Sequence, residues 1–425
     1  MSPVGNPATL SGVLYFSTIH MMREWIVAFL VVFLPLSPIL SAEQKSSPVW
    51  TYRAEDGINS VSISGDGKLA IAGGFERYVW VFRNDTGEPA WRSRIGEEYS
   101  YINSLAISSD GLYFAVGCND GRVALYQWKA GTAELVWTYS GREKVSPYPR
   151  AVAISGDGSW VAVGMASGEV ALFSKDNSTP VWMEKCGRQV ISVSISRNGR
   201  YVVAATDNGA FVFDSTGRIF SSRTGFTTAT AISDDGSVIA VGNREGKLRI
   251  LDPSGQTKRE DLSLERCIWS LDMSSDGRYL VAAIGEQTGK ILKCALEGEP
   301  SVLAETDLPA SAVSISSDGL RVFAADAQNV YFFENDQLIW RCKVVKGWDG
   351  NIECVDLSDA GQYMIACTSR SDTEHKVYFF QAAPLPPKEE GVGRINMILV
   401  AVGLVVAILA IILILRRRIS QEMVT

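Results

Sequence analysis

The sequence predicts an all-β fold, an eight-bladed β-propeller of four-stranded blades, with one transmembrane helix near the C-terminus. Three observations predict it. A hairpin motif occurs eight times at nearly regular spacing along the chain. Further stretches with strand periodicity follow each copy of that motif. A run of 21 residues without a charge, 395–415, lies near the end of the chain.

The repeated motif is a short apolar strand, then Ser-x-Asp-Gly, then a second strand of small and apolar residues. It reads VSISGDGKLAIAGG from residue 61 and VAISGDGSWVAVGM from residue 152. Asp-Gly allows a tight hairpin turn with a positive φ at the glycine. Successive turn glycines are about 42 residues apart, which is the length of a four-stranded propeller blade. The turn glycines are Gly67, Gly111, Gly158, Gly199, Gly236, Gly277, Gly319 and Gly361.

The fourth strands predict how the ring closes. A fourth strand often begins with an apolar residue followed by tryptophan, as at Val49-Trp50 and Val181-Trp182. Residues 48–54 (PVWTYRA) supply one such strand before the first hairpin, whereas none follows the last third strand. We therefore expect the N-terminal strand to complete the blade begun by residues 353–381. This arrangement joins the first blade to the last and removes the open edge of the ring.

The two ends predict a membrane-anchored protein. Residues 22–42 have a basic residue near their start, continue as an apolar run and end in small residues, which is the pattern of a signal peptide. An uncleaved signal anchor is the alternative. The 21 uncharged residues can cross a bilayer, and the arginines at 416–418 place their end of the helix in the cytoplasm. The expected topology is single-pass type I in the cell membrane of a prokaryote, with the propeller outside the cell. The expected segments are a signal peptide over 1–42 (starting at Met21 or Met22), the propeller over 43–383, a linker over 384–394, the transmembrane helix over 395–415 and a cytoplasmic tail over 416–425.

Composition excludes several classes of function. The net charge is −7, and an acidic body repels phosphate backbones, so nucleic acid is not an expected partner. Of the two histidines only His375 lies in the propeller, which excludes a multi-histidine zinc site and disfavours a Ser-His-Asp triad. The seven cysteines are irregularly spaced without a CxxC motif. We expect most of them to be small buried residues, and the sequence leaves open whether any two form a disulfide.

The repeat resembles two related propeller families. The hairpin with its small-residue second strand resembles WD40 repeats, and Thr86-Gly87-Glu88-Pro89-Ala90-Trp91 resembles the blade-docking motif of quinoprotein-type (PQQ-like) propellers. The resemblance covers about 48–383 and implies the fold, because these families include enzymes, scaffolds and assembly factors. A bound quinone would require a Ca²⁺ site with acidic ligands, and no DxDxDG loop is present. No phosphate-loop, zincin or nucleophile-elbow motif is present either, so we expect neither a cofactor nor a catalytic centre.

Three columns of equivalent residues describe the wall of the central channel. The residue that opens each innermost strand is small in all eight repeats, from Ser60 to Cys354, which indicates crowding near the axis. Two residues further along, Asp272 and Asp356 interrupt a column of serine and alanine. They are candidates to hold a cation or water, or else to bond the neighbouring backbone. One step before the small residue the column shares no residue type, and we infer that blade packing does not dictate it. That column is Asn59, Asn103, Arg150, Ile191, Thr228, Trp269, Ser311 and Glu353.

The irregular column and the loops that precede it predict a binding face. In propellers the loops from an outer strand to the next inner strand open onto one face, and here they carry aromatic and arginine residues, the types enriched at interfaces. The alternative for any one of these residues is that it is an ordinary loop residue with no role in binding. The predicted anchors are Tyr99, Tyr101, Tyr148, Arg150, Arg188, Trp269 and Trp348.

These observations favour an extracytoplasmic scaffold that binds a protein or a glycan on that face. An envelope-assembly factor is one alternative. The other is an enzyme, a hydrolase or a quinone-dependent oxidoreductase, with Asp272, Asp356 and Glu353 in a central-channel site.

Overall fold

A computed structural model describes residues 47–140, 148–223, 225–345, 351–368 and 375–382. By its internal contacts the chain divides into two units, residues 1–380 and 381–425, and the propeller belongs to the first. The predicted signal peptide, linker, transmembrane helix and tail lie outside the described residues. Within the described ranges, no helix has both the length and the apolar character to cross a membrane.

The described residues form eight four-stranded antiparallel sheets, one per blade. The innermost strands are β2 (Ile58–Ile63), β6 (Ile102–Ile107), β10 (Pro149–Ile154), β14 (Val190–Ile195), β18 (Thr227–Ile232), β22 (Ile268–Met273), β26 (Ala310–Ile315) and β30 (Ile352–Leu357). The second strands are β3 (Leu69–Gly74), β7 (Tyr113–Cys118), β11 (Trp160–Met165), β15 (Val202–Thr206), β19 (Ile239–Asn243), β23 (Tyr279–Gly285), β27 (Arg321–Asp326) and β31 (Tyr363–Thr368).

The outer half of each blade has a third and a fourth strand. The third strands are β4 (Tyr78–Arg83), β8 (Arg122–Lys129), β12 (Glu169–Ser174), β16 (Gly209–Asp214), β20 (Lys247–Leu251), β24 (Gly289–Ala295), β28 (Asn329–Glu334) and β32 (Lys376–Gln381). The fourth strands are β5 (Pro89–Arg94), β9 (Thr132–Ser140), β13 (Trp182–Lys185), β17 (Gly217–Ser222), β21 (Thr257–Ser263), β25 (Ser301–Thr306), β29 (Gln337–Lys343) and β1 (Trp50–Arg53). We number the blades 1 to 8 from the innermost strand β2 to the innermost strand β30.

Each innermost strand packs against the innermost strands of its two neighbours, and β2 packs against β30, so the ring is complete. The apolar core lies between adjacent blades rather than within one. The cluster between blades 8 and 1, for example, combines Phe379 and Ile365 with Ile58, Ala72 and Phe82. Each blade is thus buried on both faces, which explains the nearly continuous apolar runs of the second and third strands.

The hairpin between the first and second strands is explained by local hydrogen bonds. In blade 1 the Ser64 hydroxyl donates to Asp66 Oδ1 at 2.8 Å, and the same oxygen accepts the backbone N–H of Lys68 at 2.9 Å. Gly67 has φ 69°, the left-handed conformation that the turn requires. Equivalent Ser–Asp or Ser–Asn bonds recur in blades 2 to 7. The hairpin aspartates are therefore structural.

The ring closes as the sequence predicts. β1 pairs with β32 in antiparallel register, with Trp50 opposite Phe379. The Trp50 ring stacks on Phe379 at 4.8 Å and on Phe82 of blade 1 at 5.2 Å, and its Nε1 donates to the carbonyl of Asn84 at 3.2 Å. A Cβ on Gly87 would lie 3.1 Å from the Trp50 Cβ. The Thr-Gly segment of blade 1 therefore receives the tryptophan of blade 8, which is the physical role of the predicted docking motif.

Candidate binding site at the channel mouth

A β-bulge shapes one end of the channel in every blade. In blade 1, Ile58 pairs with Gly74 and Ser60 pairs with Gly73, so Asn59 is the extra, unpaired residue. The other seven innermost strands have the same register shift at the equivalent residue. A bulge bends the strand and redirects a side chain. The column that shares no residue type is thus a ring of bulged residues.

This ring surrounds a cavity of about 720 Å³, which we call the mouth. Seven of the eight bulged residues line it: Asn59, Asn103, Arg150, Ile191, Thr228, Trp269 and Glu353. The loops between second and third strands open onto the same face, because strands alternate in direction, and one of them contributes Arg244. The mouth therefore combines two arginines, a carboxylate and an indole, of which Trp269 is 50% exposed.

The inference that blade packing does not dictate this column is wrong for three blades. Asn59 Nδ2 donates to the carbonyl of Ile102 at 2.8 Å, and Asn103 Nδ2 donates to the carbonyl of Pro149 at 2.9 Å. Thr228 Oγ1 donates to the carbonyl of Ile268 at 2.5 Å. Each bond reaches the next blade at the residue before its own bulge. Asparagine and threonine can bridge this gap, so at these positions the side chain joins two blades.

Arg150, Arg244 and Trp269 are the more available side chains of the mouth. Arg150 Nη1 donates to Gln189 Oε1 at 2.8 Å, and this acceptor is neutral. The Arg244 guanidinium lies 5.9 Å from the Phe226 ring centroid, and both residues line the cavity. Trp269 Nε1 donates to the carbonyl of Gly285 at 2.8 Å, which fixes the exposed ring. No sequence signal marks Arg244, because it lies in a loop between a second and a third strand and not in a loop that leads to an innermost strand.

The structure does not bring together the six predicted anchors that it describes. Arg150 and Trp269 line the mouth, whereas Tyr99, Tyr101, Tyr148 and Arg188 do not belong to its lining. Trp348 lies outside the described residues. Their role in binding a partner stays a prediction.

The environments of those outlying anchors differ from one another. Tyr99 is 89% exposed. Tyr101 is half-buried with its ring 4.8 Å from that of Phe75. Arg188 Nε is 2.9 Å from Asp207 Oδ2, so that arginine already has an acidic partner.

Asp272 and Asp356 bind the neighbouring blade. Asp272 Oδ2 accepts the Ser314 hydroxyl at 3.0 Å and the Ile315 N–H at 2.8 Å, both from blade 7. Its Oδ1 accepts the N–H of Met273 at 2.8 Å. Asp356 makes the same three bonds in blade 8, two of them to Ser62 and Ile63 of blade 1. Of the two alternatives, the bonds favour the structural one, since both oxygens of each carboxylate are engaged.

The same burial perturbs these two carboxyls. Desolvation raises the pKa of Asp272 and of Asp356 to about 6, against which their three hydrogen bonds act. The charge of Asp272 adds to the effect at Asp356. A raised pKa in a carboxyl is common at active sites, but here the geometry explains it by burial between blades. Within the described residues, no group of three or more histidine, cysteine or acidic side chains is arranged to hold a metal ion.

The opposite end of the channel, which we call the floor, is regular. Eight backbone hydrogen bonds of 2.8–3.2 Å link each hairpin to the next, and the last runs from Asp359 N–H to the carbonyl of Gly65. Arg197 of blade 4 crosses the channel, and its Nη2 lies 2.6 Å from Asp359 Oδ2 of blade 8, the opposite blade. The same oxygen accepts the Ser109 hydroxyl at 3.0 Å. A Cβ on Gly65 would approach Asp359 Oδ2 to 2.3 Å, so a larger residue there would displace the Asp359 side chain.

Comparisons with known proteins agree with this architecture. Residues 148–334 match the PQQ_2 family model, described as outer membrane protein assembly factor BamB. Residues 46–83 and 93–127 match the WD40 model, described as WD domain, G-beta repeat. No curated protein gave a significant match to the chain.

Solved structures of propellers are also similar. Sqt1 from Chaetomium thermophilum is 15% identical, with a TM-score of 0.67, covering 80% of this chain and 100% of that one. Sqt1 bound to the N-terminus of ribosomal protein L10 is 16% identical, with a TM-score of 0.66, covering 79% and 100%. The C-terminal WD40 domain of Sif2 is 15% identical, with a TM-score of 0.65, covering 80% and 98%. At this identity the likeness shows the fold. The described residues therefore form an eight-bladed β-propeller, parts of which match the WD40 and PQQ_2 family models, as the repeat predicts.

Proposed function

We propose that this propeller is a non-enzymatic scaffold that holds a protein partner at the channel mouth. The observation that carries the proposal is the set Arg150, Arg244 and Trp269, three exposed side chains aimed at one cavity from a rigid ring. Arginine and tryptophan are enriched among the residues that dominate binding energy at protein interfaces. A rigid ring loses little conformational entropy on binding, which favours affinity.

A protein is favoured over a glycan by the charge of the mouth. Two guanidinium groups against the single carboxylate of Glu353 make the mouth more basic than acidic, which suits carboxylates and backbone carbonyls of a peptide segment. The likeness to Sqt1, whose structure includes the N-terminus of ribosomal protein L10, supports a polypeptide ligand for a propeller of this shape. An enzyme is disfavoured, since Asp272 and Asp356 already bind N–H and O–H donors of neighbouring strands.

We further propose that the scaffold lies outside the cytoplasm and is anchored by residues 395–415. The support is the sequence alone: an uncharged run long enough for a bilayer, followed by three arginines. Protease added to cells whose outer layers are removed but whose cytoplasmic membrane is intact should remove the propeller from the membrane fraction. A propeller protected until the cytoplasmic membrane is opened would contradict this topology.

A second candidate is an envelope-assembly factor. The match of residues 148–334 to the model described as outer membrane protein assembly factor BamB favours it. In that case the partner at the mouth would be another membrane-assembly protein.

Site-specific photo-crosslinking tests both candidates and can identify the partner. A photoreactive residue replaces Trp269 in the mouth or, as the matched control, Leu112, which is 48% exposed in a hairpin at the floor end. We expect a discrete crosslinked protein from position 269 and none from position 112. Equal crosslinking from both positions, or from neither, would exclude the mouth as the partner site.

A further inference from the structure

Two cysteines face each other in the inner hairpin of blade 8. Cys354 on β30 and Cys367 on β31 are direct partners in the antiparallel register. Both are free thiols in this structure. Cys354 lines the mouth and is half-buried, whereas Cys367 is fully buried. No other described strand pairing places one cysteine opposite another, although the chain has seven.

The repeat itself shows that this pair is unusual. In the other seven blades the equivalent residues are serine or alanine opposite glycine or alanine. Blade 8 departs from that pattern at both positions at once, and the two positions are in contact. The seven other pairs are Ser60–Gly73, Ser104–Gly117, Ala151–Gly164, Ser192–Ala205, Ala229–Gly242, Ser270–Ala283 and Ala312–Ala325.

The geometry of the pair suits a covalent bond. Directly opposed residues of antiparallel strands have Cα atoms about 4.5–5.5 Å apart, within the range of about 4.4–6.8 Å that disulfides span. Both thiols point toward β2 of blade 1, because Cys354 Sγ lies 3.6 Å from the carbonyl of Val61 and Cys367 Sγ lies 3.7 Å from that of Ile58. The two sulfurs therefore share one face of the hairpin, at the seam where the ring closes.

We propose that Cys354 and Cys367 are an oxidisable pair that forms a cross-strand disulfide by exchange with a disulfide oxidant. The thiolate of Cys354, reached from the mouth, attacks a sulfur of the oxidant and releases its first thiol. The thiolate of Cys367 then attacks the sulfur of Cys354 and releases the second. In total two protein thiols are oxidised to one disulfide, and one disulfide oxidant is reduced to two thiols.

Oxidation would change the seam between blades 8 and 1. It removes the two S–H groups that face the carbonyls of Val61 and Ile58. It also links β30, the strand that carries the mouth residue Glu353, covalently to β31. The pair would thus couple the redox state of the surroundings to the edge of the binding site.

Burial sets the rate of this exchange. Desolvation raises the pKa of Cys354 to about 11, with Asp356 and Glu353 adding to the effect, and raises the pKa of Cys367 well above its usual value. The thiolate is the reacting species, so its concentration, and with it the rate, rises about tenfold per pH unit below that pKa.

The experiment uses the purified full chain and oxidised glutathione as the oxidant. After incubation at mildly alkaline pH the sample is quenched with acid, denatured, alkylated and mapped without reduction. We expect two of the seven thiols to be lost and one linked peptide pair, joining residues 354 and 367. Cys118→Ala removes a buried cysteine that lies opposite Ile102, and it should leave this two-thiol loss intact.

The double variant Cys354→Ala with Cys367→Ala is the matched negative control. It recreates the Ala312–Ala325 pair of blade 7, so it should fold, which circular dichroism checks, and keep all its remaining thiols. Seven free thiols in the wild type after oxidation would overturn the proposal. A persistent mixed disulfide with glutathione on Cys354, or a linkage between any other two cysteines, would also overturn it. The test does not depend on the proposed binding function or location.

Discussion

The floor and the mouth of the same channel obey different rules. At the floor, equivalent residues of the eight blades do the same work, with hairpins joined by a closed ring of backbone hydrogen bonds. At the mouth, the same bulge presents seven different residue types in the eight blades, with asparagine in both blade 1 and blade 2. Three of those side chains join blades, and Arg150 and Trp269 remain exposed. The repeated residues thus serve the fold, whereas the residues that vary among the blades include both contacts between blades and the exposed side chains proposed to bind a partner.

The largest expected loss of stability comes from a substitution at the ring closure and not from one at the mouth. Trp50→Ala removes a buried indole, its two ring stacks and its bond to Asn84. We expect a loss of about 3–5 kcal/mol in the free energy of unfolding, measured by chemical denaturation. Trp269→Ala is the matched control, because it removes a half-exposed indole from the mouth. It should cost less than about 1 kcal/mol. Equal costs would show that the ring closure and the mouth contribute alike to stability.

An intermediate effect on stability is expected at Asp356 in the channel wall, and this effect depends on pH. The pKa of Asp356 is about 6 in the folded protein against an ordinary value of 3.8. The folded state therefore binds more protons between these values. The stability that comes from protonated Asp356 is fully present below about pH 4 and is lost as pH rises through 6.

Asp356→Asn should remove that loss. We expect the variant to gain about 2–3 kcal/mol relative to the wild type between pH 4 and pH 7, measured as the difference between their unfolding free energies. Carboxylates such as Asp235, whose pKa is lowered by the backbone N–H of Ser237, act in the opposite direction but are present in both proteins. A difference that stays constant with pH would show that Asp356 is ionised normally.

The smallest effect on stability is expected for the Arg197–Asp359 ion pair across the floor. Arg197 and Asp359 are each more than a third exposed, so solvent screens their attraction. A double-mutant cycle with Arg197→Ala and Asp359→Ala should give a coupling energy of about 0.5–1 kcal/mol that decreases with added salt. A parallel cycle with Arg200→Ala in place of Arg197→Ala should give none. Coupling in the control cycle would show that the effect is not specific to the pair.

Most of the fold could be predicted from the sequence because the signals that specify it lie in neighbouring residues. The Ser-x-Asp-Gly turn needs only its own serine, aspartate and glycine, and it recurs often enough to count the blades. The closing strand followed from one unpaired fourth strand, 48–54, and the pairing of Trp50 with Phe379 confirms it. The resemblance to WD40 and PQQ-like propellers is likewise confirmed.

The site could be predicted only in part, because it depends on contacts between blades. The sequence placed Arg150 and Trp269 correctly in an irregular column, but it could not show that Asn59 and Asn103 reach the next backbone. Arg197 and Asp359 are 162 residues apart, and only closure of an eight-membered ring places them opposite each other. Only the strand register shows that Cys354 and Cys367 face each other.

On the proposed function, the mouth should bind the partner and the floor end should not. Two triple variants test it in a quantitative binding assay with the partner identified by crosslinking. One carries Arg150→Ala, Arg244→Ala and Trp269→Ala in the mouth. The other carries the exposed floor-end residues Arg200→Ala, Arg278→Ala and Leu112→Ala. We expect the mouth variant to weaken binding at least about a hundredfold and the floor variant to bind like the wild type. Unchanged binding by the mouth variant, or equal weakening by both, would contradict the account.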